Sequence, residues 1–144
     1  MERRMVGQMG MDRTTFDRGK TFEEYASELP AFRNLYKRIT ISAEDERFSS
    51  KKMVRVLAIS EPWCGDCKRE LPLIARIATT AGWELRIFGR DTNPDLMDRY
   101  TTEGKRKIPV IVFFDEDFGE LGRFVECAPD GKTTIDVLRE ILKS

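Results

Sequence analysis

The sequence predicts an α/β domain built on a mixed β-sheet with helices on both faces, preceded by a helical extension. Three observations carry this prediction. Two short runs, residues 53–59 (MVRVLAI) and 108–114 (IPVIVFF), are rich in β-branched residues and almost unbroken in apolar character, as strands covered on both faces should be. The segments around them alternate strand-like and helix-like periodicity, giving the order β-α-β-α-β-β-α from residue 53 onward. Finally, 144 residues of which 40% are apolar supply one core of ordinary domain size.

Residues 1–20 mix Arg, Gly, Met and Asp without a period and predict a flexible N-terminal tail. Residues 21–50 predict a helical extension packed on the core. Thr21 followed by Glu24 has the spacing of a capping box, and Phe22, Tyr25, Ala26 and Leu29 then recur at helical intervals. This helix should stop before Pro30, which disfavours the α conformation at its predecessor. A second helix follows, with Phe32, Leu35, Tyr36 and Ile39 on the face that packs the extension onto the domain. Residues 42–52 are polar and read as a connection, so the main domain spans residues 51–144.

The first strand, residues 53–59, leads through a turn at Ser60-Glu61-Pro62 to Trp63-Cys64-Gly65-Asp66-Cys67-Lys68. A helix beginning here places Cys67, Leu71, Ile74, Ala78 and Ala81 on a buried stripe, with Cys64 at an exposed tip. Pro72 should bend that helix and Gly82 should end it. Residues 83–90 read as a second strand. Asn93-Pro94 starts another helix, with Leu96, Met97 and Tyr100 on its apolar side, closing at Gly104. Proline at position 109 is tolerated because the ladder of the next strand has barely begun there. An acidic turn at residues 115–117 and a strand at residues 120–127 complete a hairpin. Thr133 and Asp136 then open a final helix carrying Ile135, Leu138, Ile141 and Leu142.

Composition excludes several functions. Lysine plus arginine (25) balances aspartate plus glutamate (25), so no net field attracts nucleic acid or an anionic membrane. Histidine is absent, which removes the usual general base near neutrality and every Ser-His or Cys-His dyad. No apolar run approaches the length of about 20 residues of a membrane helix, and no signal-peptide pattern opens the chain. The expected compartment is the cytoplasm, where thiols stay reduced and a Cys-x-x-Cys pair is catalytic or metal-binding. Metal is disfavoured: beyond Cys64 and Cys67 only Cys127 remains, without histidine to complete a ligand set. Cys127 itself reads as a small buried hydrophobe without a role.

Cys64 and Cys67 have the spacing that closes a short disulfide when a helix starts between them, and the unpaired N–H groups at that start favour a thiolate. Trp63-Cys64-x-x-Cys67-Lys68 after a strand, Pro72 in the following helix, Ile108-Pro109 opening the next strand and Gly119-Glu120 in a hairpin occur in that order. Together they resemble the thioredoxin superfamily from about residue 53 to the C-terminus. The resemblance implies the thioredoxin-like fold and thiol–disulfide exchange. Carried onto this chain, Cys64 is the attacking thiolate, Cys67 the resolving thiol, and Trp63, Ile108 and a cis Pro109 form the lip on which substrate docks. It further implies a protein-disulfide reductase with no bound cofactor. Its substrate is a disulfide-containing protein or a small thiol, and a reductase or dithiol donor resets the Cys64–Cys67 disulfide. A monomer without nucleic-acid or membrane partners is expected. The competing reading is a non-catalytic peptide-binding adaptor or redox sensor on the same fold.

Two departures stand out. Gly65-Asp66 occupies the place where well-known members carry Gly-Pro, so Asp66 disfavours the thiolate while Lys68, Arg69 and the helix dipole favour it. The balance predicts a more reducing pair than in strongly oxidising members, since stabilising the thiolate stabilises the reduced form. Beneath the pair, Ala58 stands where the family pattern has a buried acid and Ile87 where it has that acid's lysine partner. The proton route must therefore differ, through water, Glu61 or Asp66.

Overall fold

Strand β1 (Arg55–Ser60) is the centre of the molecule in the computed structural model, which describes residues 10–42 and 53–143. It pairs in parallel with β2 (Glu84–Gly89) and antiparallel with β3 (Val110–Phe114), and β4 (Glu120–Val125) lies antiparallel to β3. The strand order is thus β2-β1-β3-β4. Every residue of β3 and all of β1 except Arg55 are buried, which is why both read as unbroken apolar runs rather than alternating ones. Ser60 belongs to β1, not to the turn after it. Strand β4 is mostly exposed, and pairing ends at Val125 because Glu126 takes a left-handed φ of 63°.

The helix joining β1 to β2, α4 (Gly65–Ala81), buries Cys67, Leu71, Ile74 and Ala78 as its periodicity requires and continues through Pro72. Gly82 ends it in the left-handed conformation at φ 76°, a geometry glycine adopts without steric penalty. The terminal helix α6 (Thr134–Leu142) starts with the capping box expected of Thr133 and Asp136 and packs on β4. Helix α5 (Pro94–Asp98) is shorter than the reading that closed it at Gly104. After it the chain doubles back through Glu103 and Gly104, both at positive φ, and Arg106 pairs with Asp98 at 2.9 Å. Tyr100, at the start of that return, is buried, with the Arg123 guanidinium over its ring at 4.9 Å.

Three helices precede the sheet: α1 (Arg13–Phe16), α2 (Phe22–Ala26) and α3 (Pro30–Arg38). The capping box at Thr21 is present, with Thr21 N–H donating to Glu24 at 2.9 Å and Glu24 N–H returning to the Thr21 hydroxyl at 3.2 Å. Phe32 is buried, and Tyr36 docks α3 on α4 through Thr79 (3.0 Å) and an Arg76 guanidinium over its ring (4.1 Å). The reading of residues 1–20 as a flexible tail is corrected for its described part. Asp12 caps α1, Met11 and Phe16 are buried, and Lys20 exchanges two backbone hydrogen bonds with Ile87 of β2. A four-residue helix is too short to show a period, so the sequence carried no local sign of it. Residues 1–9, the bulk of the expected connection at 43–52, and residue 144 lie outside the described residues. No helix among the described residues is long and apolar enough to cross a membrane.

Candidate active site

The C-terminal end of β1 delivers the chain to Cys64, which holds an extended backbone (φ −81°, ψ 122°) as the N-cap of α4. Its sulfur accepts the Cys67 backbone N–H at 3.2 Å, the role a serine or aspartate oxygen usually plays at this position. The Cys64 thiol in turn donates to the Ile108 carbonyl oxygen at 3.8 Å. The Ile108–Pro109 peptide is cis. Cys64 and Cys67 are both free thiols and come within 2.9 Å of each other. The first turn of α4 therefore directs an N–H group, and the positive end of its dipole, at a sulfur that can form a bond to its neighbour.

The expectation of an exposed Cys64 is corrected: it is only 8% exposed, because the Ile108 carbonyl reaches it from the opposing loop. The exposed apolar group here is Trp63, at 60%, with the Arg90 guanidinium 5.1 Å from its ring centroid. Ile108 and Pro109 are buried. Cys67 is fully buried, and burial pushes its thiol up to about 12, reinforced by the hydrogen bond with Cys64. The Ser60 hydroxyl and the Glu61 backbone N–H act in the opposite direction by bonding the same sulfur. Asp66 does not face the sulfurs alone, because Arg69 forms an ion pair with it at 2.5 Å. Arg69 also reaches Glu70 at 3.1 Å, a buried carboxylate that accepts the Thr134 hydroxyl at 2.6 Å and so ties α4 to the start of α6.

A protein-family model described as thioredoxin matches residues 19–139. The chain belongs to the thioredoxin superfamily. Among solved structures it is similar to a protein of unknown function from Pseudomonas aeruginosa, with 26% identity, 81% of this chain and 76% of that chain covered, and a TM-score of 0.66. It is also similar to an HIV epitope scaffold, with 26% identity, coverage of 88% and 84%, and a TM-score of 0.65. The family match begins at residue 19 and so takes in α2 and α3 as well as the sheet.

In this thioredoxin-superfamily chain Ala58 and Ile87 are direct neighbours in the β1–β2 register, both buried, and make the sheet beneath the dithiol apolar. The polar group there is Ser60, fully buried, whose hydroxyl lies 2.8 Å from that of Tyr25 on α2. Sequence reasoning missed both residues. Ser60 had one available signal, as the first polar side chain after an apolar strand, whereas Tyr25 fell on the packing stripe of its helix. The Glu61 carboxylate is occupied by the Asp91 backbone N–H at 2.8 Å. Cys127 is exposed rather than buried, beyond the end of β4, which corrects the reading of it as a core hydrophobe.

Proposed function

We propose that this chain is a thiol–disulfide oxidoreductase that reduces disulfides through a Cys64/Cys67 cycle. The observation that supports this most strongly is the pair of free thiols within 2.9 Å at the start of α4, with the Cys64 sulfur held by a backbone N–H. The Cys64 thiolate attacks a substrate disulfide, forming a mixed disulfide and releasing one substrate thiolate. Cys67 then loses its proton and attacks Cys64. The bond from Cys64 to the substrate breaks, the second substrate thiolate leaves and is protonated, and Cys64–Cys67 holds the disulfide. Two electrons pass from the protein dithiol to the substrate, and an external reductase or dithiol restores them.

Trp63, Ile108 and Pro109 form the docking lip in this reading, with Trp63 offering the accessible apolar surface. The substrate is a protein disulfide or a small disulfide, no resident cofactor takes part, and a reducing compartment such as the cytoplasm suits a pair that starts each cycle reduced. Asp66 and Lys68 tune the thiol's ionisation. The test is trapping: Cys67→Ser incubated with an insulin-type disulfide should form a dithiol-reversible covalent adduct through Cys64. With Cys127→Ser introduced into both proteins to remove the exposed third thiol, the Cys64→Ser/Cys67→Ser variant should form none. A folded Cys67→Ser protein that captures no disulfide through Cys64 overturns the proposal.

A further inference from the structure

The resolving step needs a route for a proton that solvent cannot collect directly. Cys67 is fully buried, and its sulfur becomes a nucleophile only when the thiol proton leaves. The strand residues beneath it, Ala58 and Ile87, have no group to take that proton. The nearby carboxylates are engaged elsewhere, Asp66 with Arg69 and Glu61 with the Asp91 N–H. Two hydroxyls remain in line. Ser60, fully buried at the C-terminal end of β1, is among the groups whose hydrogen bonding holds the Cys67 thiol down, and its hydroxyl lies 2.8 Å from that of Tyr25. Tyr25 is half-buried, and Phe32 holds its ring edge-on at 5.5 Å.

We infer that Ser60 and Tyr25 form a hydroxyl relay that carries the Cys67 proton to solvent while the mixed disulfide is resolved. This rests on the Cys64/Cys67 cycle proposed above. As the Cys67 sulfur attacks Cys64, its proton passes to the Ser60 oxygen, the serine proton passes to the Tyr25 oxygen, and Tyr25 releases its own proton to water. The Cys64–substrate bond breaks, its electron pair leaves on the substrate sulfur, and both hydroxyls end as they began. Neither hydroxyl has to ionise: burial holds Tyr25 at about 12, only partly offset by its bond to Ser60. The titratable groups whose charge acts on the tyrosine hydroxyl are Cys67, Glu61 and Cys64, and each raises it further. The Glu61 backbone N–H stays on the Cys67 sulfur and stabilises the charge that develops there. Ser60 takes the proton from the reacting sulfur in this relay and is its catalytic member; Tyr25 acts through it as a positioning residue. The N-terminal helices would then complete the active site as well as pack against it.

Reaction of the reduced protein with dithiobis(nitrobenzoate), in a Cys127→Ser background, reads both steps in one trace. Attack by Cys64 releases the first nitrothiobenzoate, and resolution by Cys67 releases the second. Ser60→Ala should slow the second release about tenfold and Tyr25→Phe about fivefold, with the first release within about twofold of wild type. Ser60→Thr, which restores a hydroxyl, should recover most of the rate. The Tyr25→Phe deficit should narrow as pH rises and hydroxide takes the proton directly. Wild-type second release in both variants overturns the relay while leaving the dithiol cycle intact. Equal slowing of both releases in a folded variant also overturns it, by showing a structural role. A wild-type protein that gives no second release at all removes the cycle, and the relay with it.

Discussion

Replacing Gly19 with alanine places a methyl group where the N-terminal segment meets the sheet. A Cβ at this position lies 2.6 Å from Phe88 Cε1 and 2.9 Å from both Phe88 Cζ and Arg86 Cβ, well inside van der Waals contact. Phe88 is itself buried, so its ring has little room to turn away. Neither can the segment simply lift off, because the next residue, Lys20, donates to the Ile87 carbonyl at 2.9 Å and accepts from its N–H at 2.7 Å. Overpacking of this kind destabilises by about 1–3 kcal/mol, and with ring and backbone both constrained we expect about 2 kcal/mol. For a domain of this size that corresponds to a fall in Tm of roughly 6 °C. Urea unfolding of Gly19→Ala against wild type measures it. Gly65→Ala serves as the comparison, since nothing lies within 4 Å of a Cβ there, and it should be neutral or stabilising by up to about 1 kcal/mol. A Gly19→Ala protein within about 0.3 kcal/mol of wild type would refute the placement of this segment against β2.

Other substitutions probe the surroundings of the dithiol. Asp66→Ala removes a carboxylate beside the sulfurs and releases Arg69 from its pairing. Both changes favour the thiolate, and at an exposed, screened site about 0.5 kcal/mol moves the potential roughly 10 mV in the oxidising direction; redox titration showing no such movement would contradict the sign. Thr134→Val leaves the buried Glu70 carboxylate without its 2.6 Å donor and should lower stability by about 2 kcal/mol in urea. An unchanged midpoint would show that the bond adds nothing. Cys67, pushed up to about 12 by burial, holds its proton at pH 8 and is shielded from reagent. Iodoacetamide followed by peptide mapping should therefore label the exposed Cys127 at least about tenfold faster than Cys67, and comparable rates would argue against the buried placement.

Residues whose partners are close in sequence, or whose burial is two-sided, were legible. The capping boxes at Thr21 and Thr133 are encoded within four residues, and β1 and β3 declare themselves through continuous apolar content because both of their faces are covered. The Cys-x-x-Cys pair and the proline facing it were legible for a related reason, as local patterns with a fixed order along the chain. What escaped depends on contacts between distant segments. Cys64 is buried by a carbonyl 44 residues away, Ser60 finds Tyr25 across 35 residues, and Glu70 finds Thr134 across 64. Periodicity marks which face of an element turns inward, but not which polar group waits there. Glu70 lies in a charged stretch that reads as solvated, and Tyr25 on a stripe that reads as packing, until the fold brings their partners to them. Helix α1 escaped because a single turn has no period to detect.

Dithiol-driven reduction of an insulin-type disulfide by the wild-type chain and by Cys64→Ser tests the proposed activity most directly. Turnover that depends on the wild-type protein and falls to the uncatalysed rate in Cys64→Ser is the expected result. Folded wild-type protein that does not accelerate reduction, or a Cys64→Ser variant as active as wild type, would contradict it.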